Sequence, residues 1–314
     1  PGTLTLTAAS IPAATPGIIN MPADPLPLGL RQGQTLNLAA GGTLGNSFAA
    51  VGAEMNVSGG VIGENLEIYN SVLNMTGGSI GRESYAFAGS TVNLHGGAID
   101  LLFKAETGST VNVAGGTIGH SFAALSGSTV NISGGGVVEE LEALIGSVVN
   151  ISGGTVGQYS EAGNPFADDD TFAVVNMTGG VLGDRFAAYK GGVLNISGGT
   201  VGEYLSAYPG SEINVVGQAF MLDGIDLTGS LLAGIPLTIT DRDIVLEGVL
   251  ADGTPFSFGL NSSRHDPLLG IVGFFDPDAT LTVSLVPEPI SAIFLGVGMG
   301  GVLIRCRESG PRGR

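Results

Sequence analysis

The chain of 314 residues carries a formal net charge of −17, a single cysteine (Cys306) and no tryptophan. One cysteine excludes a disulfide framework and any cysteine-based metal site, and the acidity argues against a partner with a phosphate backbone, so no nucleic acid is expected. The 54 glycines, well above the usual ~7%, recur at fixed places and therefore report turns rather than disorder.

The chain begins at Pro1 without a charged stretch followed by an apolar one, and reads as a fragment or processed form. Residues 1–34 are rich in Pro, Ala and Leu, and TLTLT (3–7) alternates as a strand does. This segment is expected to cap the first of the repeats that begin at residue 35, since an open sheet edge invites association.

From residue 35 to 215 one line recurs: apolar, Asn, apolar, small polar, Gly-Gly, as in VNVAGG (111–116) and VNISGG (130–135, 149–154). The asparagines are Asn37, Asn56, Asn74, Asn93, Asn112, Asn131, Asn150, Asn176, Asn195 and Asn214, mostly 19 apart. A fixed period of this size means stacked units, because one unit cannot bury its apolar face alone. In STVNISGG, Val130 and Ile132 share one parity, while Thr129, Asn131 and Ser133 share the other. On a strand these are opposite faces, the first turned inward and the second toward water.

Six residues beyond each Asn comes an apolar column (Ile62, Ile80, Ile99, Ile118, Val137, Val156), and twelve beyond a mainly Ala column (Ala86, Ala105, Ala124, Ala143). Three inward sets per repeat predict three short strands per coil. The fold class is therefore all-β: a single-stranded parallel β-helix, a solenoid of about ten coils of 19 residues. The crossover preference of parallel strands makes it right-handed. Paired glycines and β-branched residues in every unit oppose a helical repeat. The coil between Asn150 and Asn176 is seven residues longer, and Pro165 with Asp168, Asp169 and Asp170 marks a loop bulging from one corner.

Residues 216–285 lose the repeat and read as ordinary strands with a hairpin turn at Asp252-Gly253, predicting a small antiparallel β cap. The tail, residues 286–314, starts Val286-Pro287-Glu288-Pro289, continues through an uncharged apolar run over 290–304, and ends in a basic cluster opened by Arg305 and Arg307. The run is read as a hydrophobic helix and membrane segment, though short of the ~20 residues of a comfortable span.

That three-part tail resembles the PEP-CTERM sorting signal. The resemblance covers about thirty residues and implies export, an exosortase-type processing protease as partner, transient inner-membrane anchoring before tail cleavage, and delivery to the cell surface or extracellular matrix. The repeats resemble those of secreted bacterial β-helix proteins of the pectin-lyase-like class, including planctomycete surface proteins. That likeness speaks to architecture and does not fix activity.

The candidate sites are few. Asn56, Asn74, Asn93, Asn112, Asn131, Asn150, Asn176 and Asn195 are expected to form an amide ladder, whose flat Thr–Asn–Ser surroundings could bind exopolysaccharide or ice. At the next corner His120 lies one coil from Glu139, with Glu140 and Glu142 nearby, a set able in principle to do acid–base chemistry. The residue types change from coil to coil, so a solvated corner and no catalytic residue is the expectation. Asp168–Asp170, His95 and His265 lack metal-ligand spacing, and neither metal nor cofactor is expected. The function read from the sequence is an exported, non-enzymatic structural or adhesive component of the envelope or matrix. A carbohydrate- or ice-binding surface protein is the alternative, and a polysaccharide lyase or hydrolase comes third.

Overall fold

The computed structural model describes residues 17–164, 166, 171–263, 265–266, 270–271 and 273–286. The TLTLT segment, the Asp168–Asp170 run and the tail from Pro287, with its apolar stretch, lie outside the described residues. Among those described, the regular elements are strands apart from one 3-10 turn at Thr228–Ser230, and no helix is long and apolar enough to cross a membrane.

The chain is all-β and winds as a parallel β-solenoid of about ten turns. Neighbouring repeats pair in register: Thr110 with Thr129, Val111 with Val130, Asn112 with Asn131 and Val113 with Ile132. Like therefore sits on like at the rung spacing of a sheet, ~4.8 Å. Val130, Ile132, Val137, Leu141 and Ala143 are each at most 2% exposed. Full burial of one such aliphatic is worth roughly 1.5–3 kcal/mol, so the core is an aliphatic column renewed by every coil. Phe103 and Phe122 stack inside it with ring centroids 5.3 Å apart.

Most coils contain two strands where three were expected, and two coils contain three. A long strand such as Thr110–Ile118 is followed by a short one, Phe122–Ala124. The first two of the expected strands are one, bent at the Gly pair, where the pairing slips between Val113 and Gly115 and again before Thr117. In the next coil that strand is broken at residues 133–135, leaving Thr129–Ile132 and Gly136–Val137, and in the first coil Gln34–Leu38 and Thr43–Leu44 are separate likewise.

Three left-handed residues turn each coil. In consecutive coils they are Gly108, Gly116 and Ser121, then Gly127, Gly135 and Glu140, all with φ between 56° and 76°. At the middle corner glycine is obligatory: a Cβ on Gly116 would stand 2.6 Å from the Gly97 carbonyl oxygen. The third corner uses ordinary residues (Leu102, Ser121, Glu140, Tyr159, Arg185) at a cost of roughly 1–2 kcal/mol each. Their N–H groups offset it by bonding to the coil above, as Glu140 N–H does to the Gln158 carbonyl at 3.0 Å.

The ladder extends beyond 35–215 at both ends. Gly17–Met21 pairs in register with Gln34–Leu38, which sets Asn20 beside Asn37. At the other end Glu212–Leu222 runs out of the solenoid and pairs antiparallel with Val245–Leu250, itself in a hairpin with Pro255–Gly259. The chain then returns: Phe274–Phe275 stacks on Ser206–Ala207, and Thr280–Leu285 stacks parallel on the start of the Glu212 strand. The antiparallel part is thus an excursion from a coil that resumes afterwards.

Two side chains fasten the excursion. Asp252 at the hairpin tip accepts the Gly199 N–H at 2.7 Å. Arg242 donates to the carbonyls of Phe275, Asp276, Ala279, Ile239 and Asp241 at 2.9–3.2 Å, clamping the returning chain.

Gly116→Ala is expected to cost about 2 kcal/mol or more, because it adds a collision to an unfavourable φ. A Cβ on Gly45 meets nothing within 4 Å, so Gly45→Ala should stay within ~0.5 kcal/mol. Urea midpoints of the two variants check the contrast.

Candidate functional site

The outward side of the long strands carries the asparagine column. Each amide donates from Nδ2 to Oδ1 of the asparagine one coil earlier: Asn56 to Asn37 (3.2 Å), Asn74 to Asn56 (3.0 Å), and Asn93, Asn112 and Asn131 each to the one before at 2.8 Å. Asn150, Asn176, Asn195 and Asn214 continue it at 2.8–2.9 Å. The seven-residue insertion before Asn176 leaves the alignment intact. At the near end Asn37 donates to Asn20 (2.9 Å), and at the far end Thr282 Oγ1 donates to Asn214 Oδ1 (2.5 Å).

The amides from Asn56 to Asn195 are half-buried, and a typical hydrogen bond of this kind is worth about 0.5–1.5 kcal/mol net. Each has one N–H and one oxygen lone pair committed to the column. Thr91, Thr110 and Thr129 flank it in register, and Val148 and Val174 then take the threonine place. The polar array is therefore continuous in its amides and interrupted in its hydroxyls.

The charged corner is a set of local pairs. Arg82 Nε meets Glu64 Oε1 at 3.1 Å, and His120 Nδ1 meets Glu139 Oε2 at 3.1 Å. Gln158 Nε2 holds the other Glu139 oxygen at 2.8 Å, and Ser121 Oγ donates to Glu140 at 2.6 Å. Glu142 is on the short strand beyond the corner, in register with Glu161. The structure thus brings His120 to Glu139 but gives Glu140 a different partner. His95 is exposed, the backbone of His265 lies in a short strand, and among the described residues no three His, Cys, Asp or Glu side chains group as metal ligands.

The third face, outward from the short strands, holds what the sequence pattern did not reveal. Tyr69 and Phe87 lie in neighbouring coils with centroids 4.2 Å apart and planes 2° from parallel. Tyr85 adjoins Phe87 at 5.7 Å, and Lys104 Nζ stands 5.8 Å from the Tyr85 ring centre. Farther along, Tyr189 and Tyr208 stack at 4.5 Å. Glu142 and Glu161 follow in the Tyr85–Lys104 row. Burial, then the neighbouring carboxylates (Glu140 for the first, Glu142 and Glu140 for the second), raises both above the ordinary carboxylate range. The aromatic recurrence eleven and thirteen residues past Asn was legible, but the varied types at those positions hid it.

Comparison with models of protein families, with curated proteins and with solved structures found no match. The geometry itself defines the class: a repeat protein built as a β-solenoid, with a different surface chemistry on each outward face.

Two substitutions probe the column and the acidic pair. Asn131 both donates and accepts, so Asn131→Asp sets a carboxylate against the Asn112 oxygen and should cost about 1–3 kcal/mol near neutrality, recovering in acid as the carboxyl regains a proton. Asn20 only accepts within the column, and Asn20→Asp should cost far less. The raised Glu142 and Glu161 hold protons more tightly folded than unfolded, so stability falls as pH rises above the unfolded glutamate range. Glu161→Gln should therefore stabilise the chain near neutrality, by less than about 1 kcal/mol at this exposure, with the gain vanishing in acid. Urea midpoints across pH measure both effects.

Proposed function

We propose that this chain is an exported, non-enzymatic β-solenoid, wound right-handed, that serves as a structural or adhesive component of the cell envelope or extracellular matrix. In-register stacking carries the reading: the asparagine column repeats one chemistry along the solenoid, which suits contact with an extended polymer better than turnover of one bound molecule. Paired side chains at the charged corner, His120 with Glu139 and Ser121 with Glu140, fit a solvated edge.

Export rests on the tail. Val286 is still held by the rod, its N–H on the Gly217 carbonyl at 2.9 Å, and the Pro287-Glu288-Pro289 element follows at once. An exosortase-type protease acting there would release the whole solenoid. Residues 290–304 would hold the chain in the inner membrane until that cut, with Arg305 and Arg307 as the flanking charges.

The regular amide column supports the second reading, a carbohydrate- or ice-binding protein using the Thr–Asn–Ser face. A lyase or hydrolase at the Glu139 corner comes third.

Fractionation of cells making the chain tests the first reading. The rod is expected in the envelope or matrix fraction without residues beyond the Pro-Glu-Pro element, and Pro287→Ala with Pro289→Ala should leave the tail attached. Recovery from the cytoplasm alone would sink the proposal. For the second reading, Thr110→Lys with Thr129→Lys should abolish glycan or ice binding while leaving the rod folded. Turnover of an acidic glycan that is lost on joint Glu139→Ala, Glu140→Ala and Glu142→Ala replacement would instead establish the third.

A further inference from the structure

The C-terminal end of the solenoid is closed by a segment outside the repeat. Leu237–Thr238 pairs antiparallel along Thr280–Leu285. On either side of that pair the Ile239 N–H bonds to the Leu281 carbonyl at 2.9 Å, and the Gly234 N–H to the Leu285 carbonyl at 3.2 Å. Leu231 and Ile239 are buried, while the seven residues between them, 232–238 (LAGIPLT), are all exposed. Leu232 is 66%, Ile235 57% and Leu237 41% exposed. Leu237 is paired with Val283, a core residue. Cross-strand partners share a face, so Leu237 lies over the end of the interior column. No charged residue stands between Asp226 and Asp241, in a chain of net charge −17. A surface that meets only water rarely keeps a continuous uncharged run of this kind.

We propose that this run seats the C-terminal end of the solenoid on a lipid bilayer, with Leu232, Ile235 and Leu237 reaching into the headgroup layer. The proposal rests on the reading of residues 290–304 as a membrane segment, and it adds to that segment a second contact, made by the folded body.

The occupant follows from where the chain leaves the solenoid. The Leu285 carbonyl accepts from Gly234, and the next residue, Val286, donates its N–H to the Gly217 carbonyl at 2.9 Å. The exposed run and the exit point are therefore hydrogen-bonded neighbours. Four residues beyond Val286 the apolar stretch begins at Ile290. Four extended residues span at most about 14 Å, and a headgroup layer is roughly 5–8 Å thick. Whenever residues 290–304 are in hydrocarbon, this end of the solenoid is at the membrane surface, and the uncharged run is what the body presents beside the exit. The charge of the chain favours a zwitterionic surface over an anionic one. It also disfavours a second copy as the occupant, because two like-charged bodies would meet end to end. A body seated in this way holds Pro287-Glu288-Pro289 at the bilayer face, within reach of a membrane-bound protease.

The chain has no tryptophan, so single tryptophans report on chosen places. Leu232→Trp and Ile235→Trp mark the run. Leu28→Trp marks an exposed apolar position at the opposite end, two residues from the Leu30–Ala50 bridge. Each full chain is reconstituted into phosphatidylcholine vesicles with or without bromine on the acyl chains, and flotation records which chains hold lipid. Brominated lipid is expected to remove about half or more of the emission from the Leu232→Trp and Ile235→Trp chains, since groups at the headgroup boundary lie against the acyl chains. Emission from the Leu28→Trp chain should not change. A Leu237→Trp chain should be quenched likewise. Adding Leu232→Glu with Ile235→Glu should restore its emission while the chain still floats, and the urea midpoint should hold because both positions are exposed. Floating chains whose run is not quenched, or equal quenching of the Leu28→Trp chain, would overturn the proposal and leave anchoring by the tail intact. Chains that fail to float remove the tail reading and this contact with it. Emission that shifts with chain concentration in detergent, and is not quenched in vesicles, puts a second copy on the run and overturns the proposal as well.

Discussion

In-register stacking of equal residues is the constraint on which the rest of this structure depends. A parallel coil has no hairpin to fix its register, so alignment comes from each side chain meeting its own kind one rung away. Val130 over Val111 fills the interior and Asn131 over Asn112 closes a hydrogen bond. Slipping one residue would turn the aliphatics outward and the amides inward. Both errors are costly, since an apolar row would be wetted while polar groups lost water without gaining partners. The corners obey the same rule. Gly116 must be glycine because the Gly97 carbonyl beneath it leaves no room for a Cβ, as Gly78 leaves none for one on Gly97, and the left-handed third corner persists because its N–H groups bond along the stack.

The same constraint explains which features were legible in the sequence. The inward columns and the glycine pairs are under identical demands in every coil and therefore recur in recognisable form. The third corner escaped notice because its demand falls on the backbone: Leu102, Ser121, Glu140 and Tyr159 share a conformation but no side-chain chemistry. The merging of two expected strands into one was hidden for a related reason. A glycine pair reads as a break, yet its left-handed second residue bends the strand while pairing resumes beyond it. The final coil escaped as well. Its residues, Phe274–Phe275 and Thr280–Leu285, stack on residues 68 positions earlier, a separation that no 19-residue period contains, and Thr282 rather than an asparagine stands next to Asn214.

Of the candidate residues, the asparagines share one column, while the charged corner divides into separate pairs and the glutamates beyond it belong to another face. The outward rings of the short strands were hidden because the residue types at their positions vary and only a few coils carry an aromatic there. Outward positions feel solvent rather than the core and are free to vary, and local departures from a repeat are where a surface acquires individual character. A solenoid with uniform faces would be a spacer; one with rings at one place and carboxylates at another can discriminate among partners.

The hydrogen bonds of the asparagine column all run the same way, each Nδ2 reaching toward the beginning of the chain. Aligned amides add their dipoles as peptide groups do along a helix. One flank of this acidic rod therefore carries a second, internal electrical asymmetry. Its end at Asn20 is relatively positive and its end at Thr282 relatively negative, independent of any ionisable group and insensitive to pH. Two rods lying side by side along this flank would lower their electrostatic energy by pointing in opposite directions.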